Sequence, residues 1–297
     1  MRHVRRKGIG VNCKICDSPQ AALLFTLASG AVRVRRCGEC SFTFVDHVVE
    51  EYKLESSVHG IEGVPDADPI SATKWQRRMQ VYQRACGSLR GKRVLDVGAG
   101  GGGWLALAKA AGAEVHGIEF CGVCRDFART RFQLELDDQP LESSHWTAQR
   151  HSYDLVSFWD VLEHVNSPRR FLQDSLALLA PGGKLMFSTP VRDTWFDRAG
   201  VFAYRLSGGR HDFLLRQRYS HAHLQIFHSR QLRRLCISQG MRVLYYRKIF
   251  ELTFPVKRYL RNIYGESLMV NVAASIADAA LTIAPVSNKV LALFERN

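Results

Sequence analysis

Three groups of residues in this chain stand at spacings that could do chemistry. Cys13 and Cys16 form one C-x-x-C pair, and Cys37 and Cys40 form a second, with twenty residues between the pairs. A two-residue spacer lets one tight knuckle aim two thiolates at one ion, and two knuckles give the tetrahedral four-sulfur site that zinc prefers. Four thiolates close the coordination sphere, so such an ion is structural rather than catalytic. Further along, Asp96 stands two residues before Gly98, which opens the run Gly98-Ala99-Gly100-Gly101-Gly102-Gly103. Glycines let a backbone approach a nucleotide closely, and a helix N-terminus behind them offers free N–H groups. Glu119 ends the next apolar strand, where a carboxylate can accept both hydroxyls of a ribose. The third group is His164, His221 and His223. Imidazole has an ordinary pKa near neutrality, which makes these the candidate catalytic bases.

These residues need a scaffold, and the hydrophobic pattern supplies one. Residues 93–97 predict a strand that runs into the glycine turn, and a helix follows from Trp104 to about Ala111. Strands are expected at 114–118, near 132–136, at 153–160, 184–189, 240–246 and 289–295. A helix closes at 176–179 before the turn Pro181-Gly182-Gly183, and another spans 229–239. Alternating strands and helices predict an α/β fold, a Rossmann-like seven-stranded sheet preceded by a small zinc ribbon. In the ribbon, strands are expected at 22–27, 31–36 and 41–45, with a turn at Ser29-Gly30. Asp17 and Ser41 stand where knuckles usually carry glycine, and aspartate tolerates a left-handed backbone. The polar stretch 50–69 reads as a linker. Ser71 then offers an N-cap to a helix whose Trp75, Met79, Tyr82, Ala85, Cys86 and Leu89 share one face. The expected organisation is a ribbon at 1–48, a linker and leading helix at 49–90, and a catalytic domain at 91–297. A cap is inserted in that domain at about 191–228.

The 297 residues suit one large domain or a large and a small one, and 46% hydrophobic content allows a sizeable core. The basic first residues have no apolar run behind them, so no secretory signal is expected. The cysteine pattern suits a reducing compartment and a cytoplasmic chain. The stretch 268–286 reads as a packed helix rather than a membrane span. Cys121 and Cys124 lack a partner pair, and Cys86 and Cys236 read as small buried hydrophobes. His211 and His228 read as surface residues.

The run Asp96-x-Gly98-x-Gly100-x-Gly102 resembles motif I of class I S-adenosylmethionine (SAM)-dependent methyltransferases. Residues 153–165, through Asp160-Val161-Leu162-Glu163-His164-Val165, together with Pro168, resemble a signature of the small-molecule members. The "L-x-P-G-G" turn before the fifth strand is also typical of them. The resemblance covers about 90–297. A four-cysteine ribbon ahead of this domain is similar to a bacterial group that includes sugar C-methyltransferases and enzymes of surface-glycan and natural-product pathways. The resemblance implies SAM as cofactor, with Asp96 organising the loop and the amino-acid end of SAM. It implies Gly98, Gly100, Gly102, Glu119 and Asp160 as further cofactor residues. Asp137, Asp138 or neither contacts adenine. It also implies an H-L-x-x-F element, here His223-Leu224 and Phe227, before the 229–239 helix.

The expected function is methyl transfer to an O or C nucleophile of a small or lipid-linked metabolite such as a nucleotide sugar, glycan or polyketide. The formal charge of +13 favours an anionic acceptor. Aromatics and arginines in 191–220 would stack on a ring and hold phosphate or carboxylate. The alternative is an RNA methyltransferase with the ribbon and basic surface binding RNA. A third reading is a non-catalytic binding protein, which the intact loop with Asp96 and Glu119 opposes. Lys257, Arg258 and Arg261 among Phe254, Tyr259 and Tyr264 could meet an anionic membrane. The acceptor atom and the oligomeric state are not legible.

Overall fold

The structure is a computed structural model that describes residues 12–46, 69–216, 218–219, 223–251, 265–267, 269–272, 275 and 287–297. The linker up to residue 68, His221, the basic and aromatic segment at 254–264 and most of 268–286 lie outside the described residues.

Strands β1 (Ala21–Leu27), β2 (Val32–Cys37) and β3 (Thr43–Val45) form an antiparallel three-stranded sheet. Asp17 and Ser41 follow the two knuckles with φ of 57° and 60°, so the left-handed backbone is kept without glycine. Helix α1 (Pro69–Cys86) leads into the main domain. It starts two residues ahead of Ser71, because proline is pre-organised for a first helical turn.

The main sheet is built from β4 (Arg93–Val97), β5 (Glu114–Ile118), β6 (Tyr153–Trp159), β7 (Leu179–Pro190), β8 (Met241–Ile249) and β9 (Lys289–Arg296). Their order is β5-β4-β6-β7-β9-β8 among the described residues. The first four are parallel, and β9 runs antiparallel to both β7 and β8. The expected strand near 132–136 is reduced to one parallel bridge between Ile118 and Asp137 at the outer edge. The Pro181-Gly182-Gly183 turn is absorbed into β7 as an irregularity. Tyr153 pairs with Leu179, but Leu155 pairs with Lys184. Helices α2 (Gly103–Ala110), α3 (Gly122–Phe132), the short α4 (Ser144–Thr147), α5 (Pro168–Leu178) and α8 (Ser229–Ser238) complete the layers. β6 and β9 are near-continuous apolar runs because both of their faces are covered. Among the described residues no helix is long and apolar enough to cross a membrane.

The cap holds α6 (Trp195–Leu206) and the short α7 (Phe213–Arg216). It is fastened to the ribbon rather than standing free. Phe25, Leu27, Val32, Val34 and Val45 of the ribbon share a core with Leu215, Tyr219 and Ile226. Tyr204 Oη meets the backbone of Thr26, and the Ala28 N–H donates to Asp212 Oδ2 at 2.7 Å. The other side of the ribbon joins the main core. Cys13, Cys37, Phe42 and Phe44 pack in the cluster that includes Phe158, Phe187 and Phe227. The ribbon therefore sits between the cap and the catalytic domain.

Candidate active site

Parallel sheets of this kind bind ligands beyond the carboxyl ends of their strands. That edge carries the glycine turn. Gly98, Gly100 and Gly102 all have positive φ, at 72°, 57° and 81°. At Gly98 a Cβ would meet Val161 Cγ2 at 2.6 Å, so the turn lies directly against the loop after β6. Gly102 is the left-handed N-cap of α2. Glu119 ties the turn down: the Gly100 N–H donates to its Oε2 at 2.6 Å and the Cys121 N–H to its Oε1 at 2.8 Å. Burial raises its pKa against these hydrogen bonds. Asp96 is fully buried, and Ser157 Oγ donates to its Oδ1 at 2.6 Å. It thus links β4 to β6 beneath the turn. A strand, a left-handed glycine turn and a helix N-terminus, closed by the two buried carboxylates of Asp96 and Glu119, could hold the nucleoside and amino-acid ends of SAM. Asp137 contributes backbone to the edge, and its Oδ1 accepts from the Gln139 N–H.

Asp160 follows β6 with φ 57°, and its carboxylate is held by Lys289 and by Ser188 Oγ. Burial opposes its ionisation, but Lys289, Arg78 and Lys74 outweigh that and lower its pKa. Arg78, 1% exposed, donates to Glu251 Oε1 at 2.5 Å and to Ser188 Oγ at 3.0 Å. Its guanidinium lies 4.5 Å from the Trp75 ring and 4.2 Å from Trp159. Trp104 completes a three-tryptophan cluster with centroids 5.3–6.4 Å apart. Lys74, one turn before Arg78, lies 4.3 Å over Trp75. It forms no hydrogen bond or ion pair among the described residues. Burial, then the charge of Arg78, lowers its pKa to about 8.

Beside this cluster, Glu163, His164 and His223 place their ligand-capable atoms within 4.8 Å of one another. The two imidazole centroids are 4.9 Å apart. Thr189 Oγ1 donates to Glu163 Oε2 at 2.9 Å, and burial, then the charge of Asp160, raises Glu163 to about 8. His223 Nδ1 faces the Arg218 carbonyl at 3.3 Å, which leaves Nε2 as the acceptor nitrogen. Burial, then the neighbouring His164, lowers its pKa to about 3. Helix entry falls to His228, expected at the surface, whose ring accepts from the Arg230 N–H at the start of α8.

The segment carrying His223 is clamped from both sides. The Leu224 N–H donates to the Glu163 carbonyl at 2.8 Å, while the Leu224 carbonyl accepts from Val45 of the ribbon at 2.7 Å. Fully buried Gln225 donates from Nε2 to the Leu162 and Val165 carbonyls, both at 2.7 Å. β3 therefore presses the 223–227 segment onto the Glu163-His164 loop.

Lys74, Arg78, Lys289, Glu251 and Gln225 are site residues that the sequence analysis did not single out. A signal existed for two of them. Lys74 and Arg78 are four residues apart beside the apolar face of α1. The cap arginines are less available than expected: Arg218 donates to Asp197 and to the Val191 carbonyl.

The titrations of Glu163 and His223 predict opposite stability slopes. A buried His223 that stays neutral down to about 3 loses stability for the fold as pH falls below its ordinary 6.5, since only the unfolded chain takes the proton. Glu163 stays protonated to about 8, so between its ordinary 4.5 and 8 stability falls as pH rises. From pH 7 to 5, Glu163→Gln should therefore destabilise on acidification, and His223→Gln should stabilise. Urea midpoints of both variants at the two pH values check this. Slopes of the same sign would contradict the pairing.

The fold and this edge define an α/β domain with a nucleotide-binding glycine turn and a charged cluster at the carboxyl ends of its strands. Residues 73–246 match the family model described as a methyltransferase domain, and the chain belongs to that family. It is 32% identical over 160 residues to the ubiquinone biosynthesis O-methyltransferase of Coxiella burnetii (strain Dugway 5J108-111), covering 53% of this chain and 66% of that one. The protein of that name from Bordetella avium is 38% identical over 117 residues, covering 38% and 48%. The chain thus spans between about half and two thirds of the length of these curated relatives. Among solved structures, geranyl diphosphate C-methyltransferase from Streptomyces coelicolor, in complex with Mg2+, geranyl diphosphate and S-adenosyl-L-homocysteine, gives a TM-score of 0.55. It is 11% identical, with 84% of this chain and 99% of that chain covered. YcgJ from Bacillus subtilis gives 0.51 at 14% identity, covering 75% and 99%.

Proposed function

We propose that the chain transfers the methyl group of SAM to an oxygen or carbon of a small or lipid-linked acceptor that carries negative charge. One observation carries the acceptor reading. Lys74, Arg78 and Lys289 converge beside the end of β6 against Asp160 and Glu251, while Glu163 stays protonated. Half-buried Lys74 is the cation of this set with no carboxylate bound to it among the described residues, and a charge taken partly out of water gains from a partner. An anionic acceptor supplies the missing charge.

SAM supplies a methyl group already activated on sulfonium, so the protein's work is alignment, exclusion of water and, for a hydroxyl or carbon acid, removal of a proton. Asp96, Glu119 and the 98–102 turn hold the cofactor. His164 takes the proton released as the new bond to methyl forms. His223 stays neutral and accepts a hydrogen bond that orients the acceptor. Burial, then the neighbouring His164 ring, disfavours the charge on His223. The four cysteines hold one structural zinc. Their Sγ atoms lie within 4.8 Å, with Cys13–Cys40 at 3.5 Å and Cys16–Cys37 at 3.6 Å. A tetrahedron with Zn–S of about 2.3 Å has edges of roughly 3.8 Å.

Lys74→Met should leave SAM affinity within about threefold and cut methyl transfer into anionic metabolites by about tenfold or more, the scale of one lost charge-assisted hydrogen bond. Calorimetry with SAM and transfer of labelled methyl into an anion-exchange fraction of cell extract check it. Unchanged transfer would remove Lys74 from the acceptor site.

A further inference from the structure

The cap buries one side of α6 and leaves the other bare. Val201 and Tyr204 pack on the ribbon core. Trp195, Phe202 and Leu206 are 52%, 67% and 76% exposed. Their spacing of seven and four residues puts them on one stripe of a helix with 3.6 residues per turn. Phe213 and Leu214 of α7 are also exposed. Large apolar side chains exposed along one helical stripe mark an interaction site rather than an ordinary surface.

The charges around the stripe point to its partner. Each aspartate of the cap is engaged: Asp193 with Lys248, Asp197 with Arg218 at 3.1 Å, and Asp212 with Arg216 at 2.9 Å. Arg198, Arg205 and Arg210 are exposed and have no ion pair among the described residues. Two copies meeting through this patch would set these arginines against one another, since an isologous contact joins identical surfaces.

We propose that α6 and α7 dock on an anionic lipid bilayer. The stripe enters the boundary between headgroups and acyl chains, and the three arginines meet lipid phosphates. The inference does not depend on which acceptor is methylated. It bears on the acceptor all the same. The cap is linked to the active site through Arg218, which joins Asp197 of α6 to the ring of His223. Docking there would bring the proposed acceptor site to a lipid surface.

The test is co-sedimentation of the full chain with phosphatidylcholine vesicles, with and without phosphatidylglycerol, at low and high salt. Binding should require phosphatidylglycerol and weaken with salt. The Phe202→Ser/Leu206→Ser variant should lose about tenfold or more in partition. Replacing Arg198, Arg205 and Arg210 by glutamine should cost about fivefold each. All these side chains are exposed, so melting temperature and SAM affinity should not change. Absence of binding to the anionic vesicles, or equal binding by the variants, would overturn the proposal. So would a dimer in sedimentation velocity that Phe202→Ser/Leu206→Ser dissociates, since the patch would then belong to a second copy.

Discussion

Removing the proposed zinc from the ribbon should abolish most methyl transfer while leaving SAM binding nearly intact. The ribbon's three strands are held by the cysteine site and by a small apolar core, and structural zinc sites of this kind supply folding free energy directly. β3 follows the second knuckle, and its Val45 N–H holds the Leu224 carbonyl, next to His223. Gln231 Nε2 adds a bond to the Cys40 carbonyl at 2.7 Å. If the knuckles open, His223 loses the wall that presses it against Glu163 and His164. A displacement of about 1 Å in a catalytic group can cost about a hundredfold. The glycine turn, Asp96 and Glu119 take no contact from the ribbon in the hydrogen bonds described above, so SAM affinity should change less than about threefold. Chelation, or Cys37→Ser, followed by SAM calorimetry, transfer assays and amide exchange at 224–227 checks this. Loss of zinc with full transfer and unchanged exchange would show the ribbon to be independent of the site.

Glu119→Ala should have the opposite signature, loss of SAM affinity with an intact ribbon. It removes the carboxylate that holds both the Gly100 and Cys121 N–H groups. Charge-assisted bonds of this kind contribute about 1.5–3 kcal/mol, which is roughly ten- to a hundredfold in affinity. Gly98→Ala should be at least as damaging. Its φ of 72° disfavours any L side chain, and the new Cβ would press Val161 at 2.6 Å, forcing the turn away from the β6 loop. Calorimetry on both variants, with zinc content as control, decides the matter. Full affinity in either variant would move the cofactor away from this turn.

The parts of the site legible in the sequence are those built from neighbours in the chain. Asp96, the three glycines and Glu119 lie within one strand-turn-helix-strand unit, and the knuckles are local by construction. The strands around them were readable because central parallel strands are continuous apolar runs. The charged cluster proposed to meet the acceptor was not readable in this way. Lys74 and Arg78 come from α1, Asp160 from the end of β6, Glu251 from beyond β8 and Lys289 from the start of β9. Only the sheet order brings them together. Arg78 looks like a surface residue of an amphipathic helix, yet it is buried because Trp75 and Trp159 sandwich it. The cap shows the same limit. Its aromatics were read as substrate contacts, but Tyr204 and Tyr219 face the ribbon. His228 read as a surface residue, yet its ring caps α8, while His223 is turned toward Glu163 and the Arg218 carbonyl by tertiary contacts.

The most direct measurement is the fate of the methyl group. The zinc-loaded chain is incubated with methyl-labelled SAM and fractionated cell material: anionic small molecules, lipid extract, and RNA. The account predicts label in an anionic small-molecule or lipid-linked fraction, lost in His164→Ala and reduced in Lys74→Met, with SAM binding retained in both. Label entering RNA instead, or no labelled fraction from a chain that binds SAM, would contradict it.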